Sequence, residues 1–120
     1  MPSRATKRLR DARAACLEVL AYTEHRSLDD YLSDRTLRLV VERLLEIVGE
    51  ALNQAIRDDP ELVTTIPEAR VVIGMRNRII HGYDEIRDDV VWDAARTGVP
   101  QLLAQIDRAL VITGDTEGDG

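Results

Sequence analysis

The chain has 120 residues, which is the size of one domain. Hydrophobic residues make up 44% and charged residues 32% of the sequence, a balance that excludes an intrinsically disordered chain. The 16 basic and 22 acidic residues give a formal net charge of −6, so the overall field does not draw nucleic acid to this chain. No apolar run approaches the ~20 residues of a membrane span. One cysteine, Cys16, excludes an internal disulfide and a multi-thiolate metal site. We expect a soluble, cytoplasmic domain with no metal and no cofactor.

The two ends of the chain carry opposite charge. Residues 4–13 hold five basic side chains against the single Asp11. We interpret this stretch as a solvated helix face, and a face that follows RNA phosphates is the alternative. Residues 114–120, GDTEGDG, hold three acidic residues and three glycines and cannot bury apolar surface. The sequence therefore predicts one helical domain over residues 1–113 and an acidic flexible tail over residues 114–120.

Helical periodicity accounts for the first half of the chain. Apolar residues recur at three- and four-residue steps over residues 4–25, and Ser27 is placed to cap a short helical turn. Asp34, or Ser33, is the predicted N-cap of the longest helix. That helix should end at residues 58–60, Asp-Asp-Pro, because the residue before a proline disfavours the α conformation.

The second half of the chain follows the same pattern. Residues 60–70 are predicted to be a loop with at most one short turn, and a helix follows over about residues 69–82. Asp88 or Asp89 is the predicted cap of a last helix, in which Pro100 should cause a kink or a break. The sequence therefore predicts an all-α bundle of four or five helices with short connections.

The segment GMRNRIIHGY, residues 74–83, carries the residues best suited to chemistry. On an ideal helix with about 100° per residue, Arg76 projects into an apolar arc that also contains Ile80. An arginine keeps its charge in such a position and needs a carboxylate, a phosphate or an aromatic face opposite it. Glu46 and Glu50 of the long helix are the candidate partners for a purely structural ion pair.

Two polar residues near Arg76 complete the candidate site. Asn77 and His81 lie four residues apart on one helix face, where a hydrogen bond between them would fix the imidazole tautomer. Arg76 and His81, however, diverge by about 140° on a straight helix, too far to hold one phosphate easily. Either the helix ends near Gly82 and lets His81 swing round, or a two-fold dimer pairs Arg76 of one chain with His81 of the other.

These residues resemble a known motif. Arg76, His81 and Tyr83 have the R-x4-H-x-Y spacing of the HEPN superfamily. The upstream text VERLLEIVGEAL at residues 41–52, together with GMRNRIIHGYDEI at residues 74–86, is similar to the HepT branch of that superfamily. The resemblance covers about residues 30–110 and implies a HEPN-type helical bundle.

The resemblance also implies an activity and partners. HepT-like proteins resemble metal-independent endoribonucleases that act as toxins, each paired with a nucleotidyltransferase antitoxin of the MNT type. It implies Arg76 and His81 as catalytic residues, Asn77 as an assisting group, and Tyr83 as the side chain that the antitoxin silences by adenylylation. It further implies a homodimer whose two motifs face each other across a cleft. Because the chain is acidic, RNA would need a local basic patch, for which Arg78 and Arg43 are the candidate substrate contacts.

Two other interpretations stay open at this point. In the first, the chain is a non-catalytic interaction subunit that docks a nucleotidyltransferase and is modified by it, but never cuts RNA. In the second, it is an aliphatic dimer in which Arg76 only makes a buried pair with a carboxylate. An altered His81 would abolish RNA cleavage in the enzyme and would change nothing on RNA in either alternative.

Overall fold

The computed structural model describes residues 3–81 and 87–112 and contains helices, with no strand in those ranges. The helices are α1 (Arg4–Thr23), α2 (Leu28–Ser33), α3 (Arg35–Asp58), α4 (Leu62–Thr65), α5 (Ala69–His81), α6 (Asp88–Asp93) and α7 (Val99–Ile112). A π-helical turn, Ala94–Gly98, joins α6 to α7 without a gap. The four long segments are thus α1, α3, α5 and the α6–α7 unit, which confirms the predicted all-α bundle.

Side-chain caps start the first three helices where the sequence indicates. The Ser27 hydroxyl accepts a hydrogen bond from the Asp30 amide, and the Asp30 carboxylate accepts one from the Ser27 amide at 2.9 Å. The two reciprocal bonds form a capping box. Asp34 Oδ1 accepts from the Leu37 amide at 3.0 Å and begins α3. That helix ends at Asp58, as the following Asp-Pro pair predicts.

One predicted cap is wrong. The N-cap of α6 is Arg87, and both Asp88 and Asp89 lie in the first turn of the helix. Carboxylates are favourable there because they face the positive end of the helix dipole. The Asp89 carboxylate also accepts two hydrogen bonds from the Arg87 guanidinium, which holds the pKa of Asp89 below its usual range. The acidic pair therefore lies at the helix start as predicted, but the N-cap is one or two residues earlier in the chain, at Arg87.

The predicted break at Pro100 takes the form of the π-helical turn. Pro100 is the second residue of α7 and has no amide hydrogen to donate to the preceding turn. Just before it, the Val99 amide bonds to Ala94, five residues back, instead of four. The wider π-helical turn accommodates Pro100, which cannot donate a backbone hydrogen bond. The helix therefore continues past the proline with a shifted hydrogen-bond pattern instead of ending.

The core is aliphatic and is centred on the antiparallel pair α1 and α3. Arg4 lies beside Asp58 at one end of the pair, and Glu18 lies beside Arg43 nearer the other end. The facing side chains are fully buried and include Leu9, Cys16, Val19, Val41, Leu45, Val48 and Leu52. The α6–α7 unit packs on α1, and α5 packs on α3. One aromatic pair, Tyr31 and Trp92, stacks at 5.1 Å between ring centroids and closes the end of the bundle next to α2 and α6.

Several sequence predictions fall outside the described residues. These are Gly82, Tyr83 and the acidic tail of residues 114–120. Residues 60–70 contain the single short helix α4, as predicted. Within the described ranges, no helix is both long and apolar enough to cross a membrane.

Candidate active site

An open groove of about 530 Å³ runs between α1, α3 and α5. Its lining combines small and aliphatic side chains with charged ones. The lining residues of α5 are Arg76 and Ile80, which occupy the same side of that helix. Ile80 is 49% exposed and faces the groove, whereas Val72 and Met75 of the same predicted apolar arc are buried in the core.

Arg76 meets the long helix at Glu50, one of its two predicted partners. Arg76 Nη2 lies 2.5 Å from Glu50 Oε1, and Glu50 Oε2 accepts a hydrogen bond of 2.6 Å from Gln54. The Arg76 side chain is 22% exposed and that of Glu50 is 42% exposed. The pair is therefore open to the groove, and its contribution to stability is of the order of 1 kcal/mol, as for other solvated ion pairs. The ion pair that a structural role of Arg76 requires is therefore present, but it is partly exposed and not buried.

The hydrogen-bonding capacity of this pair is only partly used. Arg76 Nε is buried and has no acceptor among the described residues. Glu50 Oε1, although close to Nη2, is not aligned for a hydrogen bond with it. A guanidinium offers five N–H donors in a planar fork that matches a phosphate. The Arg76 side chain lines the groove and is partly exposed, so its guanidinium can meet an anion there, but the buried Nε–H itself is not accessible to one.

Asn77 supports Arg76 from the same helix. Arg76 Nη1 donates to Asn77 Oδ1 at 2.7 Å. The amide oxygen that was predicted to serve His81 is therefore directed to the arginine. Asn77 fixes the guanidinium plane from one side while Glu50 approaches from the other.

His81 is the last residue of α5 and is exposed. Because α5 is helical through this position, the first of the two alternatives, a swing of His81 towards Arg76, is not seen. Arg76 and His81 leave a regular helix about 140° apart, so one chain presents them on different faces.

The two arginines predicted to contact substrate differ in position. Arg43 lines the groove, is 71% exposed and approaches Glu46 at 3.5 Å. Arg78 is exposed on α5 but is not among the residues that line the groove. The structure therefore brings Arg76, Asn77 and Arg43 together, and leaves Arg78 on another face.

Sequence reasoning missed one residue that positions the site. Gly49 faces α5 so closely that a Cβ built on it would lie 2.6 Å from Arg76 Cβ and 3.2 Å from the Val72 carbonyl oxygen. In the sequence, Gly49 directly precedes Glu50. A glycine inside a helix can indicate a close helix crossing, but the sequence does not say which helix crosses there.

The described residues hold no cluster of three or more His, Cys, Asp or Glu side chains suited to a metal ion. Cys16 is fully buried in the core, and burial raises the pKa of its thiol to about 12. The thiol stays protonated and is not a nucleophile in the folded chain.

Comparison with known proteins places this geometry in context. The family model described as "Ribonuclease HepT-like" matches residues 12–109. A protein of Aphanizomenon flos-aquae named "tRNA nuclease HepT" is 31% identical in an alignment that covers 86% of this chain and 87% of that protein. A Thermococcus cleftensis protein named "Probable ribonuclease HepT" is 29% identical over 100 residues, which cover 83% of this chain and 90% of that protein. A Methanocaldococcus jannaschii protein named "Putative RNase MJ1216" is 27% identical over 101 residues, which cover 84% and 80% respectively.

Proposed function

Because this chain belongs to the HepT-like ribonuclease family, we propose that it is a metal-independent endoribonuclease whose catalytic residues are Arg76 and His81. The observation that carries the proposal is the state of Arg76. Its guanidinium borders an open groove, is oriented by Asn77 and Glu50, and keeps a buried Nε–H without an acceptor. The partly exposed part of the guanidinium is where a phosphate in the groove would bind.

The reaction that fits these residues is attack of a ribose 2′-hydroxyl on the adjacent phosphorus. The imidazole of His81 accepts the hydroxyl proton or protonates the leaving 5′-oxygen, because imidazole is the side chain best suited to general acid–base catalysis. The Arg76 guanidinium stabilises the charge that builds on the phosphorane oxygens. Neither role needs a metal ion.

The assembly we propose is a two-fold homodimer. Arg76 and His81 of one chain point in directions about 140° apart on a helix that stays regular to His81. A two-fold axis near the exposed end of α5 would bring His81 of one chain to Arg76 of its partner. This arrangement completes two identical sites without any change in the helix.

The regulation we propose is that of a toxin–antitoxin pair. A nucleotidyltransferase antitoxin of the MNT type would transfer adenylate to the Tyr83 hydroxyl, which lies two residues after His81 in the sequence. The added phosphate would compete with RNA for the motif arginine through the same charged hydrogen bonds. The domain bounds proposed for this unit remain residues 1–113, followed by the acidic tail of residues 114–120.

One observation favours the alternative, a non-catalytic interaction subunit. The described residues that line the groove include three arginines and four carboxylates, and Arg76 already faces one of them. Such a lining attracts a polyanion less than a basic cleft does. In that case, the groove and Tyr83 would serve only to dock the nucleotidyltransferase.

The deciding experiment is RNA cleavage in the presence of a chelator. The chain, produced without any partner and shown by intact mass to be unmodified, is incubated with mixed tRNA beside His81→Ala. The matched control is His25→Asn, because His25 is the only other histidine and has a φ of 62°, which asparagine tolerates. We expect the parent and His25→Asn to cleave RNA and His81→Ala to be folded and inactive.

A parent that is folded, unmodified and inert would overturn the enzyme and favour the interaction subunit. Cleavage that survives in His81→Ala would remove His81 from the chemistry. Co-expression with a nucleotidyltransferase of the MNT type should add adenylate mass to the parent and none to Tyr83→Phe. Mass added to both would show that another residue is modified.

A further inference from the structure

A second cleft of about 510 Å³ lies where the start of α1 meets the end of α3. We call it the basic cleft. It is lined by Arg4, Lys7, Arg8, Gln54, Arg57 and Asp58. Four cations thus face a single carboxylate, in a chain whose overall charge is −6. Nothing in the predicted catalytic motif requires this concentration of positive charge.

Among the described residues, the cations of the basic cleft have no carboxylate partner, in contrast to several other arginines. Arg13, Arg38 and Arg43 are each within 4 Å of a carboxylate, at Asp107, Asp88 and Glu46. Within the part of the chain that the structure describes, none of the four cations of the basic cleft makes such a pair. Like charges held together without internal partners repel one another, and an external anion relieves that repulsion.

The basic cleft is continuous with the groove that holds Arg76. Arg8 and Gln54 line both cavities, and Gln54 donates to Glu50, which in turn meets Arg76. Arg57 lies seven residues after Glu50 on α3, which is about 10 Å along the helix. A chain of phosphates seated at Arg76 and running along α3 toward its end would therefore pass directly into the basic cleft.

We infer that the basic cleft binds the phosphate backbone of single-stranded RNA next to the cut site, an inference that rests on the proposed ribonuclease function. Such binding would explain how RNA is attracted to a groove whose own lining holds more carboxylates than arginines. The groove has a mixed lining and positions the reacting phosphate, whereas the basic cleft supplies the electrostatic attraction that the groove lacks. The basic stretch of residues 4–13 is then partly a phosphate-binding face.

The same lining predicts the kind of recognition. The described residues of the basic cleft are cations, one amide and one carboxylate, with no aromatic ring among them. Base stacking is thus not available there, and binding depends on the backbone and on salt. We expect this cleft to add affinity without adding base preference.

The test compares two double variants that each remove two positive charges. Lys7→Gln/Arg57→Gln removes two of the four cations that line the basic cleft. Arg35→Gln/Arg70→Gln is the matched control, because Arg35 and Arg70 are exposed, unpaired within the described ranges and outside both cavities. Arg35 lies 22 residues from Arg57 on α3, about 33 Å away along the helix.

Binding of a labelled oligouridylate of about 16 nucleotides is measured over a range of salt concentrations, with His81→Ala in every protein so that the probe stays intact. Loss of two phosphate contacts should lower the slope of log K against log salt by about 1.4, since each contact on a single strand contributes about 0.7. At 0.1 M salt this corresponds to binding weaker by about tenfold or more. The control pair should keep the slope of the parent.

Equal slopes in the parent and in Lys7→Gln/Arg57→Gln would overturn the inference, and so would an equal loss in both double variants, which would indicate a general field effect. Cleavage of mixed tRNA by the three His81-containing proteins separates this failure from that of the proposed function. If the parent cleaves RNA but the basic-cleft variant binds RNA as the parent does, only the inference about the basic cleft is wrong. If the parent neither binds nor cleaves RNA, the proposed ribonuclease function is wrong as well. If the double variant fails to fold, Arg57→Gln alone should lower the slope by about 0.7.

Discussion

Gly49 of α3 lies directly against the side-chain stem of Arg76 of α5. A side chain on Gly49 would collide with Arg76, since an ideal Cβ there would lie 2.6 Å from Arg76 Cβ and 3.1 Å from Arg76 Cγ. The hydrogen at this position lets the arginine stem lie against the backbone of α3. Its guanidinium consequently reaches Glu50, the next residue of α3, at the edge of the groove.

Gly49→Ala should therefore lower both stability and activity. The added methyl group forces α5 away from α3, and overpacking of this kind costs about 1–3 kcal/mol. Gly74→Ala is the matched control, because Gly74 is also helical and its Cβ would meet nothing within 4 Å. That change should stabilise the helix by about 0.5–1 kcal/mol. Urea denaturation and RNA cleavage test the pair, and an unimpaired Gly49→Ala would show that the crossing has room to adjust.

Glu50→Gln should separate RNA binding from turnover. The carboxylate repels the phosphate that Arg76 is proposed to bind, so its removal should lower the Kd for RNA. It also orients the guanidinium, so kcat should fall. Glu46→Gln removes an equal charge from the same groove without a contact to Arg76, and should lower the Kd while leaving kcat unchanged. Single-turnover cleavage measures both quantities, and equal kcat in the two variants would contradict an orienting role for Glu50.

Tyr31→Phe should leave the protein equally stable or more stable. Tyr31 is fully buried, and its hydroxyl has no hydrogen-bond partner among the described residues. Removing an unsatisfied buried hydroxyl recovers about 1 kcal/mol of desolvation free energy while the ring keeps its stack on Trp92. Tyr22→Phe, at a residue that is 48% exposed, is the control and should have no effect. A marked loss of stability in Tyr31→Phe would reveal a partner for the hydroxyl, such as a buried water.

Glu42→Gln should stabilise the protein at neutral pH and have no effect in acid. Burial, and then the charge of Asp88, raises the pKa of Glu42 above its usual value of 4.5 in the folded chain. The unfolded chain therefore ionises Glu42 more readily, so the folded state loses stability as the pH rises from 4.5 through the raised pKa. Glutamine cannot ionise and avoids this loss.

Denaturation midpoints for Glu42→Gln and the parent should thus differ at pH 7 and converge below pH 4.5. The exposed Glu24 provides the control, and Glu24→Gln should follow the parent at both pH values. A Glu42→Gln midpoint at or below that of the parent at pH 7 would show that the Glu42 carboxylate is stabilised by its surroundings.

Local chemistry explains why so much of the fold could be predicted. Ser27, Asp34 and Pro60 determine where helices start and stop through bonds to their own neighbouring amides or through steric conflict within the chain. Asp88 and Asp89 were misplaced because a carboxylate is favourable both at the cap and in the first turn, so the sequence does not distinguish the two positions.

The sequence by itself determined the all-α class and most of the helix bounds, because these depend on periodicity and on contacts within a few residues. Only the tertiary structure chose Glu50 over Glu46, revealed the need for Gly49 and brought the start of α1 beside the end of α3 to form the basic cleft. Each of these depends on how two helices cross. A crossing is determined by the summed packing of many side chains far apart in the sequence, so no short segment of the sequence determines it.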